Sequence, residues 1–343
     1  MPARRRVGIL IPGRKVKGAS SGTRKSYRIG TFYAVAASLF LATQEPFSSL
    51  AAKRLNPAYF VCLTQVALLL SIPLLILSAA KRRDFFALLL NFSNLWRLAV
   101  LFAIGLCGLL LYNLGLSNSN PIVIAAILNL SPFWAAVVAL LLSKKPIPAS
   151  PPIFFGCWAL AFVGAMLIAW SQTNGAGTAS WREIGKAMVH GSWLFAIPIP
   201  ILYALSGTLV RQWFSQFEES SAIAANFLVS GAVLIPASLV VSRVYPAASG
   251  GEQTVPAILL LLVGTLIAAS AGRVFYQIAL SRTDNDNGFV TMFFLSVPGL
   301  TSLVSLPLSW WISDLRFIAG PSFFTGLFVV AAPLLFFSLR SFR

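Results

Sequence analysis

The chain has 343 residues, 57% of them hydrophobic and only 10% charged, whereas an ordinary soluble domain carries roughly 25% charged residues. That balance excludes a water-soluble globule, and the apolar residues fall into blocks of about 20, the length a helix needs to cross roughly 30 Å of hydrocarbon. The formal charge of +17 would suggest nucleic-acid binding in a soluble protein, but its distribution along this chain assigns it to membrane topology, and no nucleic-acid partner is expected.

The chain opens with a basic arm, residues 1–27. Nine basic residues and no acidic one lie in Met1–Arg28. The arm has no apolar core, so it is not a secretory signal. Rich in Arg and Ser and free of acids, it shares the composition of a transit peptide and of segments drawn to anionic lipid. A topology signal and disordered cytoplasmic tail is the simpler reading.

Ten transmembrane helices are expected, near 28–50, 58–80, 97–115, 121–142, 152–171, 192–212, 220–242, 256–281, 288–312 and 317–339. A β-barrel strand would alternate apolar and polar residues over about ten positions. Ala99–Leu111 and Leu259–Ala269 are apolar on every face instead, so the fold class is an all-α membrane protein. With ten spans, 19 basic residues fall on the side of the chain ends and six on the other, while Arg273 stays inside a span. By the positive-inside rule both termini are cytoplasmic, and the expected location is the cell membrane, a bacterial inner membrane.

The chain also repeats itself. At an offset of 164 residues, Cys107–Ser117 (CGLLLYNLGLS) overlies Ala271–Ser281 (AGRVFYQIALS), matching Gly108 with Gly272, Tyr112 with Tyr276, Leu116 with Leu280 and Ser117 with Ser281. Slightly downstream, Leu130-Ser131-Pro132 answers Leu295-Ser296-Val297-Pro298. Two five-helix halves follow, 28–171 and 192–343, joined by the linker 172–191. Because five is odd, the second half enters the bilayer from the opposite face, and inverted repeats of this kind are a recurring transporter plan.

The late third and fourth spans, LYNLGLSNSNPIVIAAILNLSPFWAAVVALLL, and their partner run, FYQIALSRTDNDNGFVTMFFLSVPGLTSLVSLPLSWW, share an aromatic-rich helix end, an apolar pair, a polar turn and a Pro-broken helix. With ILYALSGTLVRQW in the sixth span and Gly156 and Gly164 in the fifth, the chain resembles the EamA type of the drug/metabolite transporter superfamily from about 28 to 339. That resemblance implies a transporter, mostly an exporter, of metabolites, amino acids or drugs that works without a bound cofactor. The family's usual Glu at the end of the fourth span is replaced here by Lys144-Lys145, its ninth-span counterpart offers only Asp314, and the basic residue often found in the second span gives way near Thr64-Gln65. The substrate of better-known members therefore does not carry over.

An ionisable group in hydrocarbon costs a few kcal/mol even on lenient scales, which singles out two residues. Glu45 follows Gln44 and precedes Pro46, whose ring frees the carbonyl of Ala42 from the helix ladder; Ser38, Glu45 and Ser48 share a helical face. Arg273 stands where the first half has Leu109, and its fork suits a carboxylate or phosphate. Glu45 is a candidate proton or cation-coupling group, and Arg273 a candidate anchor for an anionic or zwitterionic solute. At 1.5 Å per residue they lie roughly 22 Å and roughly 10 Å from the cytoplasmic ends of their helices, so no direct salt bridge between them is expected. Against these roles, Arg273 can snorkel to headgroups and Glu45 can simply cap the kink. Tyr112, Asn113, Asn129, Asn226, Tyr276 and Gln277 form a second tier of polar groups in spans. Glu218, Glu219, Asp284 and Asp286 are expected in solvated loops.

Cys62, Cys107 and Cys157 lie in spans at unrelated spacings and are expected as small buried residues. Gly22–Ser26 (GTRKS) lacks the glycine and strand of a phosphate loop, the Asn91-Phe92-Ser93 acceptor falls on the cytoplasmic side, and the sole histidine, His190, has no ligand-spaced neighbours. The expected function is a secondary transporter of a small organic solute, with membrane lipid as its surroundings. A flippase for a lipid-linked head group is the nearer alternative and a membrane-embedded enzyme the more distant one.

Overall fold

A computed structural model describes residues 21–128, 130–143, 151–174, 192–244, 254–282, 293–312 and 318–341. Among these residues every regular element is helical and there is no strand. In chain order the α-helices are α1 (Ser21–Arg54), α2 (Pro57–Leu75), α3 (Ala79–Leu90), α4 (Phe92–Asn118), α5 (Pro121–Leu128), α6 (Ser131–Ser143), α7 (Pro151–Asn174), α8 (Pro198–Trp213), α9 (Glu219–Val244), α10 (Thr254–Ile267), α11 (Arg273–Arg282), α12 (Val297–Trp311) and α13 (Pro321–Ser341). Seven helical stretches are long and apolar enough to cross a membrane. The outward surface fits that solvent: Phe32, Leu141, Leu303, Trp310 and Phe328 are all more than two-thirds exposed.

Local chemistry sets the helix starts. Pro opens α2, α5, α7, α8 and α13, a position where its missing N–H is no loss. Asn56, Asn91 and Asn120 cap α2, α4 and α5 by accepting from the amides of Ala58, Ser93 and Ile122 at 2.8, 3.0 and 3.0 Å. Several expected spans are interrupted. The second ends at Leu75, two residues past Pro73, and a separate helix, α3, follows. The eighth is broken by a π turn, Ala268–Gly272, directly before Arg273; the wider turn is characteristic of functional sites in helices. The first begins at Ser21, inside the expected arm. Residues 1–20, most of the linker (175–191), Lys144, Lys145, His190, Asp284, Asp286 and Asp314 lie outside the described residues.

α1 is the hub. It packs on α10 and α11, on α12, and on α4 and α5. α8 in turn packs on α4 and α6, α2 on α9 and α10, α4 on α9, α5 on α12, and α7 on α13. Helices in hydrocarbon gain little by hiding apolar surface from one another, so close approach through small residues carries much of their association. The tightest instance is α7 against α13. A Cβ added to Gly164 would lie 2.6 Å from the backbone nitrogen of Val330 and 2.9 Å from the carbonyl of Gly326. Gly156, the other glycine of the expected pair, faces open space.

The cysteines depart from expectation at one place. Cys62 is buried and Cys157 half-buried, but Cys107 is exposed. It shares its face of α4 with the exposed Leu110 and Leu114. When the solvent is hydrocarbon, a small apolar side chain is as well placed outside the bundle as in it.

Gly164→Ala is expected to lower the thermal unfolding temperature in detergent, because the obstructing atoms are backbone and the helices must separate; overpacking of this kind costs about 1–3 kcal/mol. Gly156→Ala in the same assay is expected to match the parent chain.

Candidate functional site

Glu45 is 8% exposed, in the C-terminal half of α1. Its carboxylate oxygen accepts a 2.7 Å hydrogen bond from the Tyr112 hydroxyl on α4, with Ser48 a further polar neighbour of the phenol. The ring of Tyr112 is fixed from the side by Phe60, with centroids 6.3 Å apart. The kink-capping reading of Glu45 is therefore not what the geometry shows: the carboxyl is aimed at a neighbouring helix. The carbonyl freed by Pro46 finds its partner elsewhere. Thr301 on α12, fully buried, places its hydroxyl 3.4 Å from the oxygen of Ala42. α1 runs unbroken through Pro46, so the proline alters the bonding of the helix without ending it.

Arg273 follows the π turn on α11. Its guanidinium sits 5.0 Å from the ring centroid of Phe227 on α9, a cation–π contact. Among the described residues no carboxylate comes within ion-pair distance of it, and Glu45 is not its partner. Tyr203 on α8 lies within electrostatic range of both Glu45 and Arg273, and of Tyr112 as well. The side chain of Tyr203 is nonetheless 46% exposed.

The polar series continues from Arg273 towards the end of the bundle. Tyr276, one turn along α11, is in electrostatic range of Arg273 and accepts a 3.2 Å hydrogen bond from Arg211 of α8. Arg211 also approaches Glu219 of α9 at 3.6 Å. Glu219 is thus not a solvated loop residue; it opens α9 and pairs across to α8. Glu218 remains in the turn before it, its amide donating to Asp84 at 3.1 Å. At the same end Ser26 donates to the carbonyl of Arg282 at 2.8 Å and Arg97 to that of Trp213 at 3.2 Å.

The other expected site residues fall into two groups. Asn113 is buried with its amide nitrogen unpartnered among the described residues, as are the amide nitrogen of Gln277 and the amide oxygen of Asn226. Gln65 on α2 joins them with an unpartnered buried oxygen. Such groups are rare in folded proteins and costly. Gln44 is half-buried beside Glu45 without being drawn into the series. Asn129 lies outside the described residues. Tyr203, Phe227 and Thr301 were not anticipated. A phenol in the middle of an apolar span was a usable sign for Tyr203; nothing local marks Phe227 or Thr301.

Chemically, the arrangement offers a buried carboxyl with one short hydroxyl contact and a cation that, among the described residues, has no carboxylate within ion-pair distance, Glu219 lying in electrostatic range only. Tyr112 bonds the carboxyl, and Tyr203 lies within electrostatic range of both groups. No clustered nucleophile, base and oxyanion donors accompany these groups among the described residues.

Tyr112→Phe keeps the ring against Phe60 and deletes the one hydroxyl among the described residues that bonds Glu45. The expected result is a loss of about 1–3 kcal/mol of stability, read as a lowered melting temperature, that Tyr112→Phe combined with Glu45→Leu largely reverses.

No family model matches the chain, and no curated protein does. Solved structures do. One, described only as "Crystal structure of protein", aligns with 92% of this chain and 97% of its own length at a TM-score of 0.57 and 14% sequence identity. That likeness shows a shared fold over nearly the whole chain.

Proposed function

We propose that the chain is a multi-pass membrane carrier that moves a small organic solute bearing an anionic group by alternating access. Its expected surroundings are a cell membrane, with both chain ends cytoplasmic. In this reading α1, α12 and α13 join the seven long apolar stretches to make ten spans. The spans form two inverted halves, as the resemblance to EamA-type drug/metabolite transporters implies.

The repeat has support in the packing. Exchanging each span of the first half with its counterpart in the second largely preserves the neighbours. The packing of α1 on α10 and α11 becomes that of α8 on α4; α1 on α12 becomes α8 on α6; α2 on α10 becomes α9 on α4. The pairs α2 with α9, α5 with α12 and α7 with α13 map onto themselves. Pro73 within α2 and Pro236 within α9 are also within one residue of the register that superposes Tyr112 on Tyr276. Two copies in opposite orientation can exchange conformations and open a central site to either side.

The observation that carries the function is the polar series from Glu45 through Tyr203 to Arg273 and Tyr276, inside helices that otherwise belong in hydrocarbon. Arg273 has no counterpart in the first half, where Leu109 occupies the place. An intramembrane cation whose fork is unpaired among the described residues suits a carboxylate or phosphate on the solute. Glu45 is the group able to take up and release a proton, its protonated form donating to the phenol and its ionised form accepting from it. Exchange of a proton for the solute, or uptake of a cation, would drive net movement, with export the direction the family resemblance implies. Isolated rather than clustered polar groups weigh against an enzyme.

In liposomes, counterflow of a labelled solute found by thermal-shift screening is expected for the parent chain, with Arg273→Leu abolishing both solute binding and flux. Glu45→Gln is expected to retain counterflow and to lose the response to an imposed pH gradient. Normal gradient-driven flux in both variants would contradict the assignment. Scrambling of lipid without solute counterflow would instead point to a flippase.

A further inference from the structure

We propose that α3, with the turn leading into it, is a binding site for the headgroup of an anionic phospholipid. At 12 residues, α3 is about 18 Å long and too short to cross a bilayer. It is clamped to the bundle along one side. Phe85 and Leu88 are buried in the cluster that includes Leu98, Phe214 and Phe227. Ser221 donates to the carbonyl of Lys81 at 3.0 Å, and Asp84 accepts from the amide of Glu218 at 3.1 Å. The helix is therefore held in a defined place at the end of the bundle, next to the Arg211–Glu219 pair.

The opposite side is left uncovered, and its chemistry changes along the axis. Arg83, Phe86 and Leu90 recur at three- and four-residue spacing and form one stripe. The Arg83 side chain is 83% exposed, Phe86 56% and Leu90 86%, and Phe92 continues the apolar part at 83%. Arg82 lies beside Arg83 on the first turn and donates to the carbonyl of Leu77 at 3.2 Å. That contact pulls its guanidinium back over the turn. Arg83 approaches Asp84 at only 3.9 Å, and Asp84 is already engaged by Glu218. The first turn carries Lys81 and Arg82 and no acidic residue, at the positive end of the helix dipole, and Arg83 follows directly, beside Asp84.

A water-soluble phosphate would match the arginines and leave Phe86, Leu90 and Phe92 in water. An apolar protein segment would match those residues and leave the arginines unanswered. A phosphodiester carrying acyl chains satisfies both, with its anion over Arg82 and Arg83 and its chains along Phe86, Leu90 and Phe92. α3 packs on α9 and α4 at the bundle end, and in the proposed site its basic turn meets the headgroups while the apolar stripe follows the first methylenes of the chains.

The test uses the purified full chain, delipidated in mild detergent and titrated with phosphatidylglycerol or phosphatidylcholine while native mass spectrometry counts retained lipid. We expect one phosphatidylglycerol to be retained over phosphatidylcholine. Each surface cation contributes roughly five-fold in affinity, so Arg82→Gln with Arg83→Gln should weaken it roughly 25-fold. Phe86→Ser with Leu90→Ser should weaken phosphatidylglycerol but not soluble glycerol phosphate. Equal retention of the two lipids would overturn the proposal. So would competition by glycerol phosphate at the affinity of the lipid, or loss of binding on neutralising Arg4, Arg5 and Arg6 while the Arg82/Arg83 variant binds normally. None of these readouts depends on whether the chain transports a solute.

Discussion

The hydrogen bond from Tyr112 to Glu45 is the contact around which the centre of the bundle is organised. A carboxyl group held away from water needs a donor supplied by the protein, because its own helix has none to spare at that position. α4 supplies it, and the phenol can reach only because Phe60 holds its ring and α1 lies close against α4. The same stretch of α1 carries Pro46, so one carbonyl is also released and must be met from α12 by Thr301. Two unsatisfied groups on one turn of α1 thus fix two neighbouring helices around it. This is the demand that a medium without water makes of every polar atom.

Arg273 answers the same demand differently. Its cation is spread over the face of Phe227, which steadies the guanidinium without consuming its donors. The π turn before it widens the helix locally. Tyr203 and Tyr276 then give the charge polar company on either side, with Arg211 and Glu219 closing the series at the bundle end. In the proposed two-half arrangement, the halves match where helices pack and differ where these charged groups sit. Symmetric packing with an asymmetric lining would suit the proposed carrier, whose two conformations must be nearly equal in energy yet hold one particular solute.

Much of the architecture was legible in the sequence because its cause is one-dimensional. Blocks of apolar residues the length of a membrane crossing read directly as helices. Glu45 and Arg273 were legible for a related reason, since charge in an apolar run needs no partner to be noticed. What stayed hidden depends on contacts across the fold. Phe227 and Thr301 look like ordinary span residues until Arg273 and Ala42 are placed beside them. Glu219 read as a loop acid because its partner, Arg211, is on another helix. α3 was absorbed into a longer second span and a loop, as a half-buried helix of mixed charge and apolar character has no clean signature. Only one of two similar glycines, Gly164 rather than Gly156, lies where backbones touch, and spacing alone does not separate them.

The central claim is that the space between Glu45 and Arg273 is polar and reached by water although the helices around it face hydrocarbon. Tyr203 reports on it most directly. With Cys62, Cys107 and Cys157 replaced by Ala, a single cysteine at position 203 is predicted to react with a charged, membrane-impermeant thiol reagent in intact proteoliposomes, and to be protected by bound solute. Reaction only with a lipid-soluble maleimide, at the rate shown by a cysteine placed at the exposed Leu110, would place Tyr203 against lipid and contradict the account.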